Sequence, residues 1–321
     1  MSVECRGSDT RASIIIVTWN SQAVITECIN SLLKYIKGND EIIVVDNASS
    51  DSTCQMVSSI DSKQVSLIAL DENLGFGCGN NIGVQQAKGR FVVLVNPDIV
   101  FDSDSIAPGI EYLEKHVETG IVSPKLINLD GSFQQTCSFF PTPSKEFFSR
   151  IGLAKLLPKK VRQKHFPNQV QLEGVYPVDW TISAYQVMRM EDYRAIGGFS
   201  DDYFMYCEDM DLCKKMSLIL GKNTVYLGTV SAVHIGGYSE SVDGAPNKAK
   251  RCVEGINIFE SKYNADKRLA VLSAIRSAGR FRILLFKTAR LVEPSSALRG
   301  KIIDEQATIG ACDELIGQKG A

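Results

Sequence analysis

The stretch Phe91–Val100, FVVLVNPDIV, carries a continuous apolar run that stops at Asn96-Pro97-Asp98. A strand ending on a carboxylate, with an amide two residues earlier, fits either a turn acid or half of an oxygen-ligated divalent-cation site. A second acidic group, Glu208, Asp209 and Asp211, follows the aromatic Tyr203-Phe204-Met205-Tyr206. Carboxylates at a helix start are favoured by the helix dipole, and that accounts for them in part. Two adjacent acids behind an aromatic wall also suit a general base whose proton affinity is raised by exclusion of water. Gly75-Phe-Gly-Cys-Gly79, with Gly83, has the glycine density of a phosphate-cradling loop. Its spacing is not G-x-G-x-x-G after the first strand, which gives a nicotinamide-dinucleotide oxidoreductase little support. The glycines rather permit close backbone approach at a helix start, with amides open to an anion. His234, before Gly236-Gly237, can ligate a metal, donate to a phosphate or close a turn. Three histidines in the chain do not build a histidine zinc site.

These residues need a scaffold that brings them together, and the first ~130 residues alternate strand and helix signals in the way such a scaffold requires. Apolar runs at 13–17, 41–45, 65–70 and 91–95 are separated by helical segments, one with Val24, Ile25, Cys28, Ile29, Leu32 and Leu33 on one face. Short buried runs between helices predict a parallel sheet covered on both faces. Ligands of such sheets bind beyond the carboxyl ends of the strands. Those ends carry Thr18 and Asn20, Asp46, Asn73 and Gly75, and Asp98. Further on, the pattern predicts a strand at 121–127, an irregular insertion at 137–176 with helix near 145–157, and one long strand at 178–188. A short helix at 191–196 closed by Gly197-Gly198, a helix at 208–220 ending at Gly221, and strands at 223–227 and 230–234 follow.

Bulk properties narrow the class. The 321 residues are 44% hydrophobic and 22% charged, with a net charge of −2; this is the composition of a globular protein and makes no global case for a nucleic-acid partner. Nine cysteines without a CxxC pair read as reduced thiols in a cytoplasmic protein. The first residues contain Glu4 and Asp9 and no apolar core of a secretory signal. No window approaches the ~18 apolar residues of a membrane span. The segment 265–299 is rich in Lys and Arg with interleaved Leu, Ile and Phe, an amphipathic basic helix that either packs on its own domain or touches the cytoplasmic membrane face.

In order along the chain, IIIVTWNS, IIVVDNASSDST, NLGFGCGNNIG, FVVLVNPD, GGFSDDYFMYCEDMDLC and VHIGGYS resemble the inverting glycosyltransferases of family 2, most of all the bacterial rhamnosyltransferase-type branch. The pieces run from about Ser13 to Ser239. The resemblance implies a GT-A fold: an α/β domain with a mostly parallel central sheet flanked by helices, at 1–240. Within it, 1–130 would be the nucleotide-binding half and 131–240 the acceptor-binding half; 241–321 would be a helical basic extension. It further implies that Thr18 and Asn20 line the nucleotide pocket, Asp46 contacts base or ribose, and Asn73 and Gly75 shape the donor site. Asp98 would be the metal-binding acid, holding Mg²⁺ or Mn²⁺ on the donor diphosphate. Asp209 would be the base with Glu208 beside it, His234 would lie near the diphosphate, and Trp180 would wall the sugar or acceptor site.

The implied reaction moves a sugar, rhamnose from dTDP-rhamnose in this branch, from a dTDP- or UDP-linked donor to a glycan or lipid-linked acceptor of surface polysaccharide. A different class, a non-catalytic nucleotide-sugar-binding scaffold, would keep the fold without the turnover. Three departures from the branch pattern touch the site. Asn96 stands where the metal motif has its first acid, Ile182-Ser183-Ala184 is a small-residue site where the branch commonly has a glycine, and Gly228 occupies a position that is often proline.

Overall fold

The computed structural model describes residues 11–236, 245–292 and 296–317. Residues 1–10, the expected boundary near 240, and Gly237, Tyr238 and Ser239 of the VHIGGYS motif lie outside the described residues. The chain forms two compact units, one from Met1–Cys137, Leu172–Phe204 and Glu208–Tyr238, the other from Ser138–Gln171, Met205–Cys207 and Ser239–Ala321.

The first unit is built on alternation of period two. β1 (Ala12–Thr18), β2 (Glu41–Asp46), β3 (Val65–Ala69) and β4 (Phe91–Val95) pair in parallel in the order β3-β2-β1-β4. In β1, Ile14 and Ile16 join one apolar cluster while Ile15 and Val17 join another; Val93 and Val92 of β4 divide likewise. Both faces are therefore dry, which is why these strands read as unbroken apolar runs. α1 (Ile25–Leu33) and α4 (Ile106–Lys115) cover the first face, with α2 (Thr53–Ser58) near the edge. α3 (Phe76–Gln86) lies on the second. Its glycines serve packing: a Cβ on Gly79 would lie 2.8 Å from Val17 and one on Gly83 2.6 Å from Ile15.

The sheet continues through β10 (Tyr185–Arg189), β6 (Thr119–Ile127), β11 (Asn223–His234) and the two-residue β5 (Ile99–Val100). β8 (Val175–Val178) pairs with β11, and β7 (Cys137–Ser138) and β9 (Trp180–Thr181) are short. β10 runs against both β4 and β6, β6 and β11 are parallel, and β5 and β8 oppose β11. Six of the nine strands in this sheet thus share one direction, β10, β5 and β8 being reversed. α7 (Met190–Ala195) ends at Gly197 and Gly198, both at positive φ, and α8 (Glu208–Leu220) ends at Gly221 (φ 64°), as glycine-closed helices do.

Three expectations are corrected. The single strand at 178–188 is three short ones, because the backbone between them serves other partners: Ile182 N–H donates to Thr136 O at 2.9 Å, outside the ladder. The two strands at 223–227 and 230–234 are one, with a register shift between Leu227 and Ser231 where Gly228 N–H turns to Gly174 O at 2.6 Å. The helix near 145–157 is α5 (Pro143–Arg150), capped by Thr142, then a break at Gly152 (φ 81°) and a 3₁₀ turn at Leu153–Leu156.

The second unit is helical. α6 (Lys159–His165) and a 3₁₀ turn (Pro167–Gln169) follow α5. α9 (Ala245–Tyr263), α10 (Arg268–Val292) and α11 (Ser296–Gly317) pack around Val253, Val271, Leu272, Ile275 and Cys312. Among the described residues, no helix is long and apolar enough to cross a membrane.

Candidate functional site

The parallel strands place their polar ends on one edge of the sheet. Thr18 and Asp46 are register partners at the ends of β1 and β2, and both are buried. Asp46 accepts from Thr18 Oγ1 at 2.8 Å, Ser49 Oγ at 2.6 Å and Ser49 N–H at 2.8 Å. Its carboxylate therefore shapes the loop after β2. Asn20, at φ 50°, knits into the same loop by accepting from Ser50 N–H at 2.8 Å and donating its own N–H to Ser49 Oγ at 2.8 Å. Asn73 Oδ1 accepts from Gly75 N–H at 2.9 Å, and Gly75 O accepts from Asn47 Nδ2 at 3.1 Å. Asn47 Oδ1 is buried with no hydrogen-bond partner, an acceptor aimed at nothing in the protein.

The end of β4 is tied to the opposite side of the sheet. Asn96 N–H donates to Ala184 O at 2.8 Å, leaving its side-chain Oδ1 buried and unpartnered. β5 begins directly after Asp98 and pairs with the end of β11, with Ile99 opposite His234. This short pairing sets Asp98 Oδ1 3.2 Å from His234 Nε2, both side chains being largely buried. The other ring nitrogen, Nδ1, is 2.7 Å from Gln134 Oε1. Gln134 Nε2 donates to His234 O at 2.7 Å and to Asn128 Oδ1 at 2.6 Å. Two acceptors on that amide nitrogen fix which way the amide faces. Oε1 must then accept from Nδ1–H, and Nε2 is the ring nitrogen turned to the Asp98 carboxylate. A carboxylate oxygen and a ring nitrogen at that distance share either a proton or a cation.

That arrangement fits a divalent cation. Asp98 supplies a carboxylate and His234 an imidazole nitrogen, a mixed oxygen and nitrogen pair that accepts Mn²⁺ or Mg²⁺; Asn96 Oδ1, two residues from Asp98 in sequence, is buried without a partner. No cluster of three or more His, Cys, Asp or Glu able to hold a metal occurs among the described residues. The remaining ligands would therefore have to be oxygens of substrate or water.

The acids of α8 divide by environment. Asp211 is fully buried and satisfied by Ser200 Oγ at 2.6 Å and Tyr203 OH at 3.3 Å, so it braces the fold. Glu208 is buried with Oε2 unpartnered; burial and then the charge of Asp209 push its carboxyl well above the ordinary range. Asp209 is only half-buried and is also raised by desolvation, against the opposing pull of the Met210 and Ser183 N–H groups. Tyr206 and Cys207, just before the helix, hold φ of 72° and 70°, a strained backbone of the kind that collects at functional sites. Trp180, on β9, packs partly against the core cluster beneath α8.

The turn 182–184 joins the two acidic groups. Ser183 N–H faces Asp209 while Ala184 O holds Asn96, so consecutive residues connect the end of β4 to the start of α8. Ser183, named only as part of the 182–184 departure, Gln134 and Asn47 have no role assigned from the sequence. The first two act by hydrogen bonds to residues 26 and 100 positions away, and polar residues in irregular segments give no periodic signal.

Solved structures share this architecture. The mannosyltransferase PcManGT from Pyrobaculum calidifontis, in complex with GDP-Man and Mn²⁺, superposes with a TM-score of 0.60 over 97% of this chain and 88% of that one, at 16% identity. Staphylococcus aureus TarS 1–349 in complex with UDP-GlcNAc gives 0.51 over 96% and 93%, at 20% identity. The fold is therefore GT-A. The family model for Glycosyl transferase family 2 matches residues 13–169. Rhamnosyltransferase WbbL of Escherichia coli is 28% identical over 69% of this chain and 82% of its own length. The low-salt glycan biosynthesis hexosyltransferase Agl10 of Haloferax volcanii is 28% identical over 69% of this chain and 66% of its own. The N-acetylglucosaminyl-diphospho-decaprenol L-rhamnosyltransferase of Mycobacterium tuberculosis is 22% identical over 74% and 80%. Residues 13–169 thus carry a glycosyltransferase family 2 domain, and the chain is a glycosyltransferase.

Proposed function

We propose that this enzyme transfers rhamnose from dTDP-rhamnose, with inversion, to a glycan or lipid-linked acceptor in bacterial surface polysaccharide biosynthesis. The observation that carries the chemistry is the edge that holds Asp98 and His234 and is joined through Ser183-Ala184 to Asp209. The choice of rhamnose rests on similarity to two rhamnosyltransferases. Asp98, His234 and Asn96 would hold Mg²⁺ or Mn²⁺, which when bound neutralises the charge of a diphosphate leaving group. Asp209, desolvated yet partly open, takes the proton of the acceptor hydroxyl as that oxygen attacks the anomeric carbon from the face opposite the diphosphate. Burial and then the charge of Asp209 raise the proton affinity of Glu208, which is held protonated more readily than a free glutamate. A single displacement inverts configuration and needs no enzyme nucleophile. Thr18, Asn20, Asp46, Asn73 and Gly75 form the floor and loops of the nucleotide side, and Trp180 walls the sugar side.

The domain roles follow the same division: nucleotide at 1–130, acceptor at 131–240, a helical extension beyond. Incubation with dTDP-rhamnose, UDP-hexoses and GDP-mannose, with Mn²⁺, Mg²⁺ or chelator, tests the reading. Turnover of dTDP-rhamnose alone supports it, and preference for a UDP- or GDP-sugar overturns the donor. Binding of a donor without transfer to any acceptor would favour a nucleotide-sugar-binding scaffold.

A further inference from the structure

Residues 147–172 contain six Lys or Arg and no Asp or Glu, in a chain whose net charge is −2. The apolar residues of this segment are placed against the usual order. In the 3₁₀ turn Leu153–Leu156, sequence LAKL, Ala154 is buried while Leu153 and Leu156 are exposed, Leu156 at 79%. Phe148, Leu157 and Val161 are exposed as well. A fold normally buries leucine before alanine, so these side chains are held outward by the local backbone. Gly152 in the left-handed region turns the chain into the 3₁₀ element, and Pro158 breaks it from α6.

The cations belong to the same short stretch. Lys155, Lys159, Lys160 and Lys164 are exposed and make no ion pair among the described residues. The basic helix α10 differs in this respect. Its Arg276 and Arg280 meet Asp313 at 3.0 and 3.8 Å, and Arg282 pairs with Glu305. Its charge is thus partly neutralised within the unit, although Phe281, Leu284 and Leu285 are exposed. Outward leucines flanked by unpaired lysines match the two requirements of an interfacial membrane contact, apolar insertion and attraction to anionic headgroups.

We propose that the segment Leu153–Lys164 is the membrane-docking element of this protein and that its partner is an anionic lipid bilayer. Leu153, Leu156, Leu157 and Val161 enter the headgroup region while Lys155, Lys159, Lys160 and Lys164 meet lipid phosphates. The surface gains a purpose from a lipid-linked acceptor, but the docking is independent of donor and catalysis, so vesicle binding tests it separately from the proposed reaction.

Co-sedimentation of the full chain with phosphatidylglycerol–phosphatidylcholine vesicles, and with phosphatidylcholine alone, measures it. Binding to the anionic vesicles, weakened by salt, is expected. Replacing Lys159→Gln and Lys160→Gln together should lower partitioning about 25-fold, at roughly five-fold per lysine. Leu153→Ser with Leu156→Ser should lower it at least ten-fold. Both variants change exposed side chains, and unaltered circular dichroism and thermal midpoint confirm folding. Phe281→Ser with Leu284→Ser on α10 is the comparator and should change partitioning little. Absence of parent binding to anionic vesicles overturns the proposal, as does loss of binding in the α10 variant with the 153–160 variants unchanged. A parent that ignores vesicles but self-associates through Leu153 and Leu156 in sedimentation velocity assigns the surface to a second copy instead.

Discussion

Asp98 Oδ1 and His234 Nε2 lie 3.2 Å apart, 136 positions distant in sequence, with the imidazole held from behind by Gln134 at 2.7 Å. Because the Gln134 amide is committed to donate to His234 O and Asn128 Oδ1, Oε1 accepts from Nδ1–H and Nε2 is the nitrogen turned to the carboxylate. The pair offers a cation one oxygen and one nitrogen, and the glutamine holds the ring in that orientation.

Gln134→Leu removes the acceptor for Nδ1–H without touching Asp98. Mn²⁺ affinity, read by electron paramagnetic resonance of the full chain, should fall about 10- to 100-fold. Gln134→Glu keeps an acceptor and should lose less. Equal losses in both variants would show that bulk, not the hydrogen bond, matters at this position.

Asp98→Asn tests the other half of the pair. It deletes the negative charge while preserving shape, and Mn²⁺ binding should be lost at concentrations that saturate the parent. Asn96→Asp should tighten binding, since a carboxylate replaces the unpartnered amide oxygen.

Asp209→Asn should lower kcat by about 10²- to 10⁴-fold, the usual contribution of a positioned base, with donor affinity in calorimetry little changed. The parent's kcat should rise with pH through a window above the ordinary carboxylate range, because burial holds Asp209 protonated longer and only the ionised form accepts a proton. A flat profile from pH 5 to 8 would remove it as the base.

Glu208 carries a stability consequence of opposite sense to most acids. Its carboxyl is raised by burial and by Asp209, so the folded state binds more protons than the unfolded state between the two pKa values. Stability therefore falls as pH rises from the unfolded value through the folded one. Glu208→Gln should raise Tm relative to the parent in alkaline buffer, and the difference should shrink as pH falls below the ordinary glutamate range.

Gly75 sits at φ 87°, and a Cβ there would collide with the Phe204 carbonyl oxygen. Gly75→Ala should cost about 1–3 kcal/mol in denaturant unfolding, with weaker donor binding because the Asn73 and Asn47 contacts to this residue move with it.

Much of the scaffold was determined by local sequence. Unbroken runs such as Ile14-Ile15-Ile16 and Val92-Val93-Leu94 specify strands dry on both faces, since either parity of side chain is apolar. Parallel strands alternating with helices send their ends to one edge, so Asp46 and Asp98 could be placed together before any coordinate was known. The carboxylates of α8 were legible in the same way, being adjacent to one another at the start of a helix that closes at Gly221. Tertiary structure decided what each acid does. Asp46 and Asp211 turned out to be satisfied by hydroxyl and backbone partners, whereas Glu208 keeps an unpartnered oxygen; burial and pairing are properties of surroundings that no local pattern encodes. The break of the 178–188 run is of the same kind, for Ile182 N–H donates to Thr136 O and Ser183 N–H faces Asp209, partners that only the folded chain supplies. Contacts between residues 26 to 136 positions apart depend on strand order and register, and those exist only once the sheet has closed around its core.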